Sequence, residues 1–219
     1  MKPYYESGGI TIYHGDAREI MPTLGTDFAI VSDPPYGMNY NTDSRRFAGG
    51  VGGDKRYAAG SAERPIRGDA EPFDPTPFLD YPFVTLWGFN HFAARLPVGT
   101  TLVWVKKKEH RLATFLSDAE LAWRKGGHGV YVRYIPGDGR WDLAEGDLDR
   151  AHPAQKPLAV MAWSMEGADE ALTILDPFVG VGTTLRAAKN LNRRAIGIEI
   201  EERYCEIAAE RLSQEVLAL

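Results

Sequence analysis

The chain has 219 residues, of which 44% are hydrophobic and 25% are charged. This composition is typical of a compact globular domain and excludes disordered, fibrous and repeat proteins, so a single domain over residues 1–219 is expected. No apolar run approaches the roughly 18 residues that a membrane span needs, and residues 1–10 lack a signal-peptide pattern, which predicts a cytoplasmic protein with no membrane partner. The single cysteine, Cys205, excludes an intramolecular disulfide and a cysteine-based zinc site, and no metal site is expected.

The charges are unevenly distributed along the chain. The formal net charge of −5 argues against a simple nucleic-acid coat protein. However, residues 39–67 carry six basic and three acidic side chains, and residues 104–133 carry seven and three. Two basic segments in an acidic chain indicate a localised electropositive face of the kind that binds a phosphate backbone. Ordinary solvated surface charge is the alternative explanation.

The hydrophobic pattern alternates between strands and helices. Apolar runs of strand length, bounded by turn residues, cover residues 10–13, 28–31, 83–87, 101–105, 130–135, 172–175 and 195–200. Helical periodicity covers residues 88–96, 112–123, 158–165, 183–191 and 202–217. This alternation predicts an α/β fold with a mostly parallel, twisted sheet.

A long loop interrupts this alternation at residues 39–75. It is rich in glycine, proline and basic residues and has almost no apolar periodicity. Loops of this length within a compact domain are either functional or disordered, and we interpret this one as a functional insert because it follows a candidate catalytic turn. Its candidate DNA-contacting residues are all basic: Arg45, Arg46, Lys55, Arg56 and Arg67.

A glycine-containing turn at residues 176–184 predicts a cofactor loop. It reads DPFVGVGTT and lies between a predicted strand and a predicted helix, where glycines let the backbone approach a ligand. The turn is not a P-loop, and it lacks the third glycine of the dinucleotide pattern. Glu199 lies 19 residues after Gly180, at the end of the next strand, where nucleoside-binding folds place the acid that holds the ribose hydroxyls. This combination suits an adenosyl ligand without a pyrophosphate.

A second turn, Asp33-Pro34-Pro35-Tyr36-Gly37, follows the strand predicted at residues 28–31. Two prolines stiffen the turn and remove two backbone donors, which leaves carbonyl groups to accept hydrogen bonds from a ligand. A carboxylate beside such carbonyls suits an amino group as the guest, and Tyr36 offers a stacking surface for a planar base.

These motifs carry a resemblance to a known family. The sequences DPPYG at residues 33–37, HPAQKP at residues 152–157 and DPFVGVGTT at residues 176–184 together resemble the amino-group DNA methyltransferases, which make N6-methyladenine or N4-methylcytosine. The catalytic motif precedes the cofactor loop, as in the permuted β class of that family. The resemblance covers nearly the whole chain and implies a single Rossmann-like methyltransferase fold with a circularly permuted motif order and an antiparallel hairpin.

The resemblance also implies the cofactor and the site residues. The cofactor would be S-adenosylmethionine, bound by Asp16, Asp176, Phe178, Gly180, Gly182, Thr183, Thr184 and Glu199, with Lys156 as a weaker candidate. Asp16 resembles the residue that meets the adenine of the cofactor. The catalytic residues would be Asp33, Pro34, Pro35 and Tyr36. The alanine at position 154 departs from the commoner threonine of the family and removes a hydroxyl at that position.

The implied activity is site-specific methylation of DNA at adenine N6, on a base flipped out of the duplex, as in restriction–modification. Aspartate at the first position of the tetrapeptide favours adenine in this family, and cytosine N4 is the alternative. An inactive DNA-binding relative is a second alternative, and a nicotinamide oxidoreductase is disfavoured by the missing third glycine. A homodimer would enlarge the basic surface of such a short chain.

Overall fold

The computed structural model describes residues 2–39, 67–113, 117–136 and 155–214. Residues 40–66 of the predicted loop lie outside the described part of the chain, with Arg45, Arg46, Lys55 and Arg56 among them. The chain divides into two compact units. The larger comprises residues 1–34 together with residues 74–219, and the smaller comprises residues 35–73.

The described residues of the larger unit form one eight-stranded sheet. In chain order the strands are β1 (Tyr5–Ser7), β2 (Ile10–His14), β3 (Phe28–Ser32), β4 (Phe83–Trp87), β5 (Gly99–Val105), β6 (Ala119–Tyr134), β7 (Thr173–Asp176) and β8 (Ala195–Glu199). Their order across the sheet is β1-β2-β8-β7-β3-β4-β6-β5. Strands β2, β8, β7, β3 and β4 pair in parallel, which confirms the predicted α/β class and the mostly parallel sheet.

The first two strands form the antiparallel hairpin that the resemblance implies. Ser7 lies opposite Ile10, so only Gly8 and Gly9 connect the strands. Both glycines have positive φ, 57° and 79°, as a two-residue hairpin turn of type I′ requires. The hairpin adds one antiparallel strand to the edge of the parallel core.

Strand β6 wraps around strand β5. Its first arm, residues 119–125, runs antiparallel to β5, with Trp104 opposite Glu120. Its second arm, residues 130–134, runs parallel to β5, with Val105 opposite Tyr134. Because the first arm also pairs with β4, the second arm lies on the other edge of β5. Ala119 and Glu120, at the start of the first arm, therefore lie at the end of the sheet where β5 finishes.

The described chain contains four α-helices, of which the first three connect strands and the last follows β8. They are α1 (Ala17–Leu24), α2 (Leu158–Ser164), α3 (Thr183–Asn190) and α4 (Glu202–Ser213). Asp16 caps α1, Pro157 precedes α2, and Gly182 begins α3 with a left-handed backbone at φ 86°. Helix α4 buries Tyr204, Cys205, Ala208 and Leu212. None of the described helices is long and apolar enough to cross a membrane.

The prediction of a helix at residues 112–123 is wrong. Residues 109–111 form a short 3-10 helix, and strand β6 already begins at Ala119. The apolar residues that suggested a helix, such as Leu121 and Trp123, instead belong to a strand buried between β4 and β5, where tertiary pairing outweighs local propensity. The helix predicted at residues 88–96 is also replaced, by two 3-10 helices at Phe89–His91 and Ala93–Arg95.

A cluster of tryptophans forms part of the core. Trp87, Trp104 and Trp163 are at most 4% exposed, and the ring of Trp87 lies 6.2 Å from each of the other two. The indole N–H of Trp87 donates to Ser164 Oγ at 2.8 Å, and this hydroxyl in turn donates to the carbonyl of Val160. A buried indole N–H is thus satisfied by a serine at the end of α2.

Replacing Ser164 by alanine should destabilise the protein by about 1–3 kcal/mol, because the Trp87 N–H would stay buried without its acceptor. Urea unfolding measures this loss. Ser213→Ala is the matched control, since Ser213 also donates to a carbonyl of its own helix but is exposed, and we expect a change within about 0.5 kcal/mol. Equal effects of the two substitutions would contradict the role assigned to the Trp87 hydrogen bond.

Candidate active site

The carboxyl ends of the parallel strands carry a row of acidic residues. Asp16 follows β2, Asp33 follows β3, Asp176 ends β7 and Glu199 ends β8. Parallel pairing brings these ends to one edge of the sheet, where open α/β folds bind ligands. The structure therefore brings together four acidic residues that the sequence singled out, all within the larger unit.

Asp176 and Ser32 join the two central strands. Ser32 Oγ donates to Asp176 Oδ1 at 2.6 Å, and both residues are at most 2% exposed. Burial raises the pKa of Asp176 to about 6, although hydrogen bonds from Ser32, Thr184 and the Phe178 N–H counteract the rise. The negative charge of Asp33 raises the pKa further. Asp176 is thus a buried carboxyl group, held by the strand that leads to Asp33.

The predicted cofactor loop is anchored to strand β8. The N–H of Val179 donates to the carbonyl of Ile198 at 3.1 Å, and the N–H of Gly180 donates to Glu199 Oε2 at 2.9 Å. Gly180 has a φ of 50°, and a Cβ atom placed there would meet nothing within 4 Å. The backbone of the loop therefore borders open space at Gly180, as close approach of a ligand requires.

Glu199 organises the loop through both carboxylate oxygens. Besides Oε2, which accepts from Gly180, Oε1 accepts from the N–H of Glu201 at 2.8 Å. Glu199 is 8% exposed, and burial raises its pKa. Hydrogen bonds from the N–H groups of Glu201, Gly180 and Ile200 counteract this rise, so the carboxylate is fixed by three backbone donors.

Asp16 has a structural role that the sequence interpretation missed. Its side chain accepts from the N–H of Arg18 at 2.8 Å, as an N-cap does, and it also binds the Arg18 guanidinium. The hydrogen bond from the Arg18 side chain lowers the pKa of Asp16. The sequence contained a signal for this N-cap: Glu19 follows Asp16 by three residues, which is a capping-box pattern.

Lys156 lies against Asp33. Its Nζ atom is 2.6 Å from Asp33 Oδ2 and 2.9 Å from Glu120 Oε2, and its side chain is only 6% exposed. The other carboxylate oxygen of Glu120, Oε1, accepts from Lys106 Nζ at 2.8 Å. The sequence interpretation assigned Lys156 to the cofactor as a weaker candidate, whereas in the structure its ammonium group binds Asp33 of the predicted catalytic motif. Its cofactor contact stays a prediction, and Glu120 was not anticipated at all.

Several basic side chains of the segment at residues 104–133 bind other groups of the same protein. Lys107 pairs with Asp118 at 2.8 Å, and Arg133 binds Glu166 through two nitrogens. Arg124 donates to carbonyls at the end of α2, and burial lowers its pKa. These internal ion pairs and hydrogen bonds reduce the positive charge that this segment contributes to the expected electropositive face.

The smaller unit begins at Pro35, within the predicted catalytic motif. Tyr36 is half-buried, and the N–H groups of Gly37 and Met38 donate to Asp69 Oδ1 at 2.8 and 3.3 Å. Asp69 is 3% exposed and was not identified from the sequence, where no motif surrounds it. Arg67, two residues earlier, is exposed. Asp69 therefore fixes the turn that follows Tyr36.

Cys205 has no reactive environment. It is fully buried on α4, where burial raises the pKa of its thiol to about 12. A thiol in this state is a poor nucleophile at neutral pH. No cluster of His, Cys, Asp and Glu suited to a metal ion occurs in the described ranges.

Asp176 should make stability depend on pH. The pKa of Asp176 is raised in the folded protein, so between about pH 4 and pH 6 the folded state retains a proton that the unfolded state loses. The contribution of Asp176 to the free energy of unfolding therefore falls as pH rises through this window. Asp176→Asn removes this loss and should gain up to about 3 kcal/mol relative to wild type across that window. Urea unfolding at several pH values measures the gain. Asp169→Asn, at an exposed position before β7, is the control and should show the same dependence of stability on pH as wild type. If Asp176→Asn also showed the wild-type dependence on pH, the argument from burial would be contradicted.

Comparison with known proteins gives a family match. Residues 103–210 match the N6_N4_Mtase family model, described as DNA methylase. The matched range contains Lys156, the loop at residues 176–184 and Glu199, while Asp33 lies outside it.

Curated relatives are similar to the whole chain or to part of it. The type II methyltransferase M.ScaI of Streptomyces caespitosus is 26% identical over 262 aligned residues, which cover 100% of this chain and 86% of that protein. A stretch of 67 residues, 30% of this chain, is 45% identical to part of the type II methyltransferase M.HpaI of Haemophilus parainfluenzae and covers 21% of that protein.

Solved structures share the fold. The M1.HpyAVI–SAM complex superposes with a TM-score of 0.55 at 24% identity, covering 92% of this chain and 99% of that one. The cytosine-N4-specific PvuII DNA methyltransferase has a TM-score of 0.62 at 13% identity, with 99% and 91% covered. The resemblance drawn from the three sequence motifs is confirmed: residues 103–210 match the N6/N4 DNA methylase model, and the chain is similar in sequence and in fold to DNA methyltransferases of this class.

Proposed function

We propose that this protein transfers a methyl group from S-adenosylmethionine to the N6 amino group of adenine in a specific DNA sequence. The observation that carries the proposal is the position of Asp33 at the end of β3, directly beside the strand that ends in Asp176 and leads into the glycine loop. An acceptor for an amino group and a loop suited to an adenosyl group thus lie on neighbouring strands.

The residues at the carboxyl edge suit this cofactor. Glu199 ends β8, where nucleoside-binding folds place the acid that holds the ribose hydroxyls, and the open space at Gly180 admits a ligand close to the backbone. The sulfonium and ammonium groups of the cofactor are cationic, and the carboxylate of Glu199, which is held by neutral backbone N–H groups, favours positive charge beside it. Phe178, whose ring packs edge-on against Phe78 at 6.3 Å, supplies an apolar wall within the same unit.

When bound, the cofactor supplies an electrophilic methyl group. The chain supplies an acceptor for the amino group of the base, whose lone pair is otherwise delocalised into the ring. Hydrogen bonds from the amino group to Asp33 and to the Pro34 carbonyl would draw the nitrogen towards tetrahedral geometry and make the lone pair available. Positioning and electrostatics then account for the rate, without a covalent enzyme intermediate.

Adenine is favoured over cytosine by the aspartate at position 33, since serine in this place leans towards cytosine in the family that the motifs resemble. Cytosine N4 is the second candidate function, because the fold is also similar to that of a cytosine-N4-specific enzyme. Both bases present an exocyclic amino group to the same acceptors.

The DNA is proposed to be double-stranded, with the target base flipped out and stacked on Tyr36. Arg67 is exposed in the smaller unit and is proposed to contact the phosphate backbone together with Arg45, Arg46, Lys55 and Arg56. A homodimer would supply further basic surface for a chain of this size. Salt dependence of DNA binding tests the phosphate contacts, and a flat response would contradict them.

Nucleoside mass spectrometry identifies the methylated base. Mixed-sequence duplex DNA is incubated with the protein and isotopically labelled S-adenosylmethionine, and labelled N6-methyldeoxyadenosine is expected. Labelled N4-methyldeoxycytidine instead would keep the reaction and overturn the choice of base. No label in either nucleoside, with the cofactor bound, would overturn the proposed activity.

Asp33→Ala should lower methyl transfer by at least about a hundredfold, because the amino group loses its charged acceptor. Cofactor affinity, measured by calorimetry, should change little, since the residues assigned to the cofactor are retained. Asp27→Ala is the control, an exposed aspartate at the other end of the same strand, and should transfer methyl groups at the wild-type rate. Loss of cofactor binding in Asp33→Ala would contradict the assigned role.

A further inference from the structure

We propose that Glu120 is a positioning residue for methyl transfer, acting on Asp33 through Lys156. The inference rests on the proposed function, in which Asp33 accepts hydrogen bonds from the amino group of the target base. Glu120 lies outside the three motifs that carry the sequence resemblance, and the strand that bears it was predicted to be a helix.

The three side chains form a continuous chain of opposite charges. Asp33 Oδ2 and Glu120 Oε2 lie 2.6 and 2.9 Å from the same nitrogen, Lys156 Nζ. The exposed fraction of the side chain is 20% for Asp33, 6% for Lys156 and 30% for Glu120, so the lysine is the most enclosed of the three. The ammonium group of Lys156 therefore sits between two carboxylates and is tied to both.

The surroundings of Lys156 restrict its ammonium group further. The Nζ atom lies 5.9 Å from the centre of the Trp87 ring, within the range of a cation–π contact. The backbone is constrained as well, because Lys156 directly precedes Pro157, whose carbonyl accepts from the first turn of α2. The indole of Trp87, the following proline and Glu120 thus restrict the lysine in addition to Asp33.

Glu120 keeps a full negative charge at this place. Burial raises its pKa, but the ammonium groups of Lys156 and Lys106 outweigh this effect and hold the pKa at about 2. Glu120 is therefore ionised throughout the neutral pH range. Without this charge Lys156 would lose one of the two carboxylates that bind its ammonium group and would follow Asp33 more readily when that carboxylate moves.

A fixed lysine matters because Asp33 must present its carboxylate in one orientation. The plane of a carboxylate is set by its hydrogen bonds, and Lys156 holds Oδ2 from one side. Misplacement of a catalytic group by about 1 Å can lower a rate by about a hundredfold. Glu120 thereby limits the positions from which Asp33 can meet an amino group, without touching the base itself.

Glu120→Gln tests this inference, since glutamine keeps the size of the side chain and removes the charge. We expect kcat for methyl transfer to labelled duplex DNA to fall at least about tenfold, while KM for DNA and for S-adenosylmethionine stays within about twofold of wild type. Asp118→Asn is the matched control. Asp118 also pairs with a lysine just after the end of β5, but this lysine is Lys107, at 2.8 Å. It should leave kcat at the wild-type value.

A double variant, Glu120→Gln with Lys106→Met, separates positioning from charge balance. Glu120 also pairs with Lys106, so removing Glu120 alone leaves two ammonium groups close together and could impair folding. The double variant removes one of these charges and should restore the midpoint of thermal unfolding, yet kcat should stay low because Lys156 still lacks its second carboxylate. Recovery of wild-type kcat in the double variant would overturn the inference and assign Glu120 to charge balance with Lys106.

The outcomes for the inference and for the proposed function are distinct. A wild-type protein that transfers no label to DNA overturns the proposed function, and the inference with it. An active wild type with an equally active Glu120→Gln overturns the inference alone. A raised KM with unchanged kcat would also overturn it, because Glu120 would then act on binding and not on the chemical step.

Discussion

The site depends on the parallel pairing of β3 with β7, which are separated by about 140 residues of chain. Their pairing places Ser32 beside Asp176, and the hydrogen bond of 2.6 Å between these side chains closes the end of the sheet. Asp33 directly follows Ser32, so the bond that fixes the start of the glycine loop also sets the position of Asp33, the proposed acceptor for the amino group. Without parallel register, the two motifs would not share an edge.

Gathering carboxylates at one edge has an electrostatic cost, and the structure offsets it differently at each residue. Asp176 and Glu199 are buried with raised pKa values and are held mainly by neutral hydrogen-bond donors. Glu120 is instead paired with two lysines, and its pKa falls to about 2. Neutral donors stabilise a carboxylate without adding a positive charge that offsets its own, so a cationic ligand beside Asp176 and Glu199 would itself supply the compensating charge. The catalytic side, in contrast, is an ordered chain of fixed charges.

Much of this arrangement could be predicted from the sequence, because its local signals were strong. Apolar runs gave the strands now observed at Ile10–His14, Phe28–Ser32 and Ala195–Glu199 within one or two residues. The turns at their ends then placed Asp33 and Glu199 on the correct edge. These signals work because a buried parallel strand is apolar on both faces and its end is marked by polar turn residues. Helix α1 escaped notice because Asp16 was interpreted as a ligand contact, although it is also an N-cap.

The first arm of β6 shows why the rest could not be predicted. Residues 119–125 carry an apolar spacing that fits a helix, and only the strands on either side, β4 and β5, make them a strand. That choice decides where Glu120 lies, since on a helix its side chain would not meet the lysine that precedes Pro157, 36 residues further along the chain. The contact between Glu120 and Lys156 is therefore a product of topology, specified by no local pattern at either residue. The residues of a charge network built in this way can be replaced while the motifs by which the family is recognised stay the same.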